Sequence, residues 1–92
     1  MAKQKGYEIL EVIWTDAEEL GDVGWNNLKE QLKCAKKPCP VMKSVGYCVY
    51  RSDTHISLLS TLGKDVGSTL EKIPMSFVVD VRVLSAVPKL SD

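Results

Sequence analysis

Apolar and polar positions alternate with period two along four stretches of the chain, and a helical stripe stands between the first two. From Tyr7 to Asp16, Leu10, Val12 and Trp14 share one side of an extended chain, and Tyr7, Ile9 and Ile13 share the other. Both sides are apolar, which predicts a strand covered twice, once by a core and once by a helix or another subunit. Val41 to Leu62 reads as two strands folded back on each other. Val41, Lys43, Val45, Tyr47, Val49 and Arg51 alternate with Met42, Ser44, Gly46, Cys48 and Tyr50, and the first set carries the larger apolar load. Gly46 in mid-strand predicts a bulge, a bend or the close approach of another backbone. The run from Arg51 to His55 is turn chemistry, because its short polar side chains hydrogen-bond their own backbone. Ile56, Leu58, Ser60 and Leu62 resume the alternation. After Phe77, Val79, Val81 and Val83 share one side, and Val78, Asp80, Arg82 and Leu84 the other.

Between the first two strands the period changes. Trp25, Leu28 and Leu32 fall at i, i+3 and i+7, which predicts a helix over about 24–35 with one apolar stripe. Asp16 to Gly24 is an acidic, glycine-containing loop, with Asp22 as the expected N-cap. Pro38 and Pro40 end the helix, and Cys34 to Pro40, CAKKPCP, is a stiff connector. Gly63 to Gly67 is a second loop, Ser68 to Ile73 a short strand, and Ile73-Pro74 a tight turn into the last strand. The expected class is mainly β with one short helix: a small, five-stranded, bent antiparallel sheet closing to a barrel of the Sm-like or Src-homology-3-like kind. The alternative is an open sheet with the Trp25 helix over one face. The expected organisation is an N-terminal arm at 1–6, a single domain at 7–84 and a loose tail at 85–92.

Composition narrows the function. Twelve basic and twelve acidic residues cancel, which argues against a general attraction to nucleic acid. No apolar run approaches the roughly 20 residues of a membrane span, and MAKQKG does not read as a signal peptide. The expected location is therefore cytoplasmic. The three cysteines, Cys34, Cys39 and Cys48, are odd in number and lack paired spacing, which suits reduced thiols and not a structural zinc site, even with His55 added. No cofactor or metal is expected.

Four groups of residues are candidates for chemistry. Trp14 and Trp25 are either core or an aromatic wall for a flat ligand. Tyr47 and Tyr50 alternate on one strand, so one of them faces solvent or an interface. Arg51 and His55 sit in a polar loop that offers charge to an anion, and Lys43 with Lys36 and Lys37 would add to a positive patch if the fold brought them there. The same loop is also an ordinary solvated turn. Ile9, Val12 and Ile13 are the expected subunit contact. His55 is the lone histidine, and without a placed nucleophile or acid it does not make an enzyme.

One resemblance spans roughly Ile9 to Leu84. The series Val12-Ile13-Trp14-Thr15-Asp16-Ala17, Trp25, Ser44-Val45-Gly46-Tyr47-Cys48-Val49, Ile56-Ser57-Leu58 and Ile73-Pro74 resembles a group of small proteins encoded by bacteriophages and prophages. It implies a phage accessory protein, cytoplasmic in the bacterial host, and nothing catalytic. CAKKPCP departs from that pattern. The expected function is a non-enzymatic binding protein, a homo-oligomer that sequesters a small anionic, nucleotide-type signal of host defence. The alternatives are a module that inhibits a host enzyme by protein contact, and an Sm-like RNA binder that the charge balance disfavours.

Overall fold

A computed structural model describes residues 6–85. The N-terminal arm and the tail expected at 1–6 and 85–92 therefore lie, apart from Gly6 and Ser85, outside the described residues. The elements in order are β1 (Ile9–Thr15), α1 (Leu28–Ala35), β2 (Val41–Arg51), β3 (His55–Leu59), β4 (Glu71–Pro74) and β5 (Val78–Ser85). All pairings are antiparallel, and the sheet runs β4-β3-β2-β1-β5. The mainly β class and the single short helix match the sequence reading. The barrel does not form: the sheet stays open, with β4 and β5 as its edges.

The reason lies in β4. This strand has four residues and ends at Pro74, which has no N–H to give to a closing ladder. A three-residue 3-10 turn, Met75–Phe77, then carries the chain from one edge of the sheet to the other. Four Cα steps reach no more than about 15 Å, so the sheet is rolled until its edges approach at that end. The Met75 N–H, donating to the Thr54 carbonyl at 2.8 Å, ties this crossing to the β2–β3 turn.

The concave face of the roll holds the core, with Leu10, Val12, Ile56, Leu58 and Ile73 at 2% exposure or less. Trp14, Cys48, Met75, Val78 and Val81 pack around it, half-buried. The registers Leu10–Gly46 and Val12–Ser44 set small residues of β2 beside large ones of β1. A Cβ on Gly46 would stand 2.9 Å from the Leu59 carbonyl oxygen, so this glycine marks the close approach of two backbones. The bulge in β2 falls instead at Val49, between the Cys48 and Tyr50 pairings.

The structure decides the sides of β2 and corrects those of β5. The core-facing side of β2 is the less apolar one, Met42, Ser44, Gly46 and Cys48, because the rolled strands leave no volume there for larger side chains. Val41 and Val45, on the other side, are 59% and 53% exposed. In β5 the ladder skips Val79 and Leu84, which brings Val78, Val81 and Val83 opposite Trp14, Val12 and Leu10. A bulge lets successive residues share a side, which a strict period of two cannot represent. Asp80 and Arg82 then face the convex side, where the Arg82 guanidinium donates to Glu11 at 3.0 Å.

Residues 17–39 leave the sheet altogether. Thr15 pairs with Val41, and the Asp16 N–H donates to the Pro40 carbonyl at 3.0 Å, so the insertion springs from one end of the β1–β2 hairpin as a spur. The alternative arrangement, a helix laid over the sheet, also fails. Trp25, Leu28 and Leu32 are 102%, 66% and 55% exposed, and no residue of α1 is buried. The helix is shorter than 24–35 because Asn27, and not Asp22, caps it: the Asn27 carboxamide accepts from the Glu30 N–H at 3.0 Å. Asn26 bonds back to Asp22 at 3.0 and 2.9 Å, and Gly24 adopts φ of +104°, so the chain turns at Trp25 before helix begins. The chain exposes 7597 Å², against about 5,300 Å² for an ordinary monomer of this mass. Its radius of gyration of 18.5 Å compares with about 12 Å for a compact domain of this length.

Candidate binding surfaces

The residues singled out from the sequence do not converge. β2 has 11 residues, so about 33 Å separates its spur end at Val41 from its turn end at Arg51. At the turn end, Tyr50 and His55 bring their rings to 5.2 Å between centroids at 33°, with Arg51 between them in sequence and exposed. The turn is locally satisfied: the Ser52 N–H donates to the His55 carbonyl at 3.0 Å, the Ser52 and Thr54 hydroxyls meet at 2.9 Å, and the Thr54 hydroxyl lies 2.8 Å from His55 Nδ1. These contacts hold the ring pair in place beside an exposed guanidinium.

The other candidates lie elsewhere. Tyr47 and Lys43 sit on the convex side of β2, opposite Ile9 and Ile13. Lys36 and Lys37 follow the helix in the spur, so the expected patch of Lys36, Lys37 and Lys43 does not gather at the Arg51–His55 turn. Trp14 is on the concave side, where its indole N–H donates to the Ser44 hydroxyl at 3.0 Å, and that hydroxyl donates to Glu71 at 3.2 Å across the roll. Trp25 stands free in the spur. The two tryptophans therefore do not form one wall, and neither reaches the Tyr50–His55 pair. Of the expected subunit contact, Val12 is fully buried in the core. Ile9 and Ile13 remain half-buried on the convex face, next to Val45 and Tyr47.

Two surfaces emerge. One is the exposed apolar surface of the spur: Leu28 and Leu32 on one face of α1, and Leu20, Val23 and Trp25 in the loop before it, Leu20 and Val23 at 61% and 107% exposure. Between the spur's loop and its helix lies a cleft of about 540 Å³, walled by Glu18, Leu20, Asn26, Gln31, Cys34 and Cys39 among others. No pattern in the chain announced this cleft, since its walls, the acidic loop, the helix and the CAKKPCP connector, are each ordinary alone. The second surface is the outer edge of β5, whose backbone no described strand pairs.

Among the described residues, no three His, Cys, Asp or Glu side chains cluster so as to hold a metal ion. The cysteines are free thiols, and burial pushes the Cys48 thiol above its ordinary pKa. Among the described residues, no helix is long and apolar enough to cross a membrane. No family model matches the chain, and no match was found among curated proteins or solved structures. The fold and its surfaces thus define a one-sheet, mainly β chain with a projecting helical spur.

Proposed function

We propose that this chain is a non-enzymatic binding protein that engages a protein partner through the apolar side of its spur. In the form that the phage resemblance suggests, it is an accessory protein that holds and inhibits a host enzyme. The observation that carries this reading is Trp25, fully exposed in the loop just before α1, whose Leu28 and Leu32 are also exposed. A helix of eight residues is marginal in water, and most helical stability comes from packing an apolar face. Nothing within the described residues supplies that packing. An amphipathic helix with an exposed tryptophan in the loop beside it is also a common protein-binding device, since tryptophan anchors dominate interface energetics.

The test compares wild type with Trp25→Ala and Leu28→Glu, both remote from the sheet's core. A host protein retained by wild type is identified, purified and titrated. Loss of roughly 30-fold or more in affinity for Trp25→Ala, with an unchanged melting temperature, supports the reading. Full affinity in both variants contradicts it.

A second reading rests on the Tyr50–His55 ring pair beside Arg51. This corner is a smaller platform for an anionic, nucleotide-type ligand, without the help of Trp14, Trp25, Lys43 or Tyr47. Under this reading Arg51→Ala weakens nucleotide binding measured by calorimetry while Trp25→Ala leaves it intact. The opposite pattern removes this reading.

A further inference from the structure

We propose that β5 pairs with β5 of a second copy of this chain, antiparallel, across a two-fold axis at Val81. This goes beyond the spur reading and stands on a different part of the molecule.

The two edges of the sheet are unequal. β4 is short and ends in proline, which are the usual ways of blunting an edge. β5 has eight residues and, among those described, neither proline nor lysine. Its outer side carries free backbone and Val79 and Val83 at 65% and 54% exposure. A long apolar edge of this kind is a template for another strand.

The register follows from one hydrogen bond and one pair of charges. The Val81 N–H donates to its neighbour's carboxylate, Asp80 Oδ1, at 2.9 Å, so it points away from β1. Residues two apart in a strand point the same way, and Val83 therefore presents its backbone outward with Val81. A self-pair centred on Asp80 or Arg82 would set like charges face to face, which leaves the outward residues as possible centres. Centred on Val81, residue 81−k meets 81+k of the other copy. Asp80 then faces Arg82 of the second copy, twice by symmetry, at positions where facing side chains are closest. Val79, at its bulge, comes opposite Val83 of the second copy. Centring on Val79 or Val83 loses the opposite-charge pairing.

Arg82 is ready for this contact. Glu11 holds its guanidinium at 3.0 Å from within the chain, while the Arg82 side chain remains 60% exposed. The planar fork has donors left for a second carboxylate. Asp80 is the other half of the arrangement: in the single chain it covers the Val81 N–H, and on pairing it releases that donor to the second strand. The interface is isologous, as a two-fold dimer requires. The pairing yields one continuous ten-stranded sheet and sends the two spurs to opposite ends, so a dimer would offer two partner sites.

The test uses charge reversal and sedimentation equilibrium across the micromolar range. Wild type is expected to sediment as a dimer. Asp80→Arg places two cations beside the axis in each chain and Arg82→Asp places two anions, so each variant alone should self-associate at least about tenfold more weakly. Mixed in equal amounts, the two variants should recover the dimer, since every facing pair is again of opposite charge. A wild-type monomer, single variants that dimerise as wild type does, or a mixture that stays monomeric each overturns the proposal. A dimer dissociated by charge at Ile13 and indifferent to both reversals would place the contact on the convex face, and also overturns it. Should a variant fail to fold, amide exchange on wild type decides. Val81 and Val83 amides that slow with rising protein concentration support the pairing, and amides that do not change refute it.

Discussion

The rolled sheet and the spur both carry large apolar residues and use them in opposite ways. In the sheet, Leu10, Val12, Ile56, Leu58 and Ile73 lose nearly all contact with water. In the spur, Leu20, Val23, Trp25, Leu28 and Leu32 keep half or more of theirs. The sheet's residues are held by pairings between distant parts of the chain, whereas the spur is held by contacts within four residues, Asn26 to Asp22 and Asn27 to Glu30. Apolar content alone therefore does not make a core. Long-range pairing decides which apolar residues stabilise this fold and which are left for something else to cover.

The largest way to sharpen that contrast is to cut the core. Leu58→Ala should cost about 2–5 kcal/mol, enough to unfold much of so small a domain in a thermal melt. Gly46→Ala comes next, at about 1–3 kcal/mol, because its Cβ meets the Leu59 backbone and not a movable side-chain end. Trp14→Phe keeps the ring but loses the bond to Ser44, for about 1 kcal/mol. In a domain of this size that lowers the melting temperature by about 4–8 °C. The spur variants form the other arm of the comparison. Asn27→Ala should reduce helical circular dichroism while the sheet's melting point holds, and Trp25→Ala should move stability by less than about 0.5 kcal/mol. A spur variant that melts like Leu58→Ala would break the comparison.

The thiols give a finer reading. Thiolate is the reacting form, and burial pushes the Cys48 thiol up, so alkylation at mildly alkaline pH should label exposed Cys39 first and Cys48 last. Peptide mass mapping over a time course would show the order. Cys48 labelled first would mean that the edge of the core is open.

What the sequence made legible was local. The bounds of β2, the Arg51–His55 turn and the two sides of β1 follow from period and turn chemistry, which need only neighbouring residues. The inward side of β2 did not follow, because Ser44 and Gly46 face inward to make room for Leu10, Val12 and Leu58, residues 12 to 36 positions away. The bulges at Val49, Val79 and Leu84 each shift a strict alternation by one residue, and no residue type announced them. Closure into a barrel was expected from strand number, but four-residue β4 and Pro74 left the last ladder unmade. The Leu28 and Leu32 face was visible, yet an amphipathic period shows which side of a helix wants cover and not what covers it, and the turn at Gly24 leaves Trp25 outside the helix. The candidate binding residues were chosen by type, and the length of β2 is what separates them.

The sheet is self-supporting and the spur is not. Native-state hydrogen exchange on the isolated protein tests this residue by residue. Amides of β1, β2 and β3 should open only with global unfolding, while those of Leu28 to Ala35 exchange with little protection. Helix amides as protected as the sheet's would show instead that the spur is packed in the isolated protein.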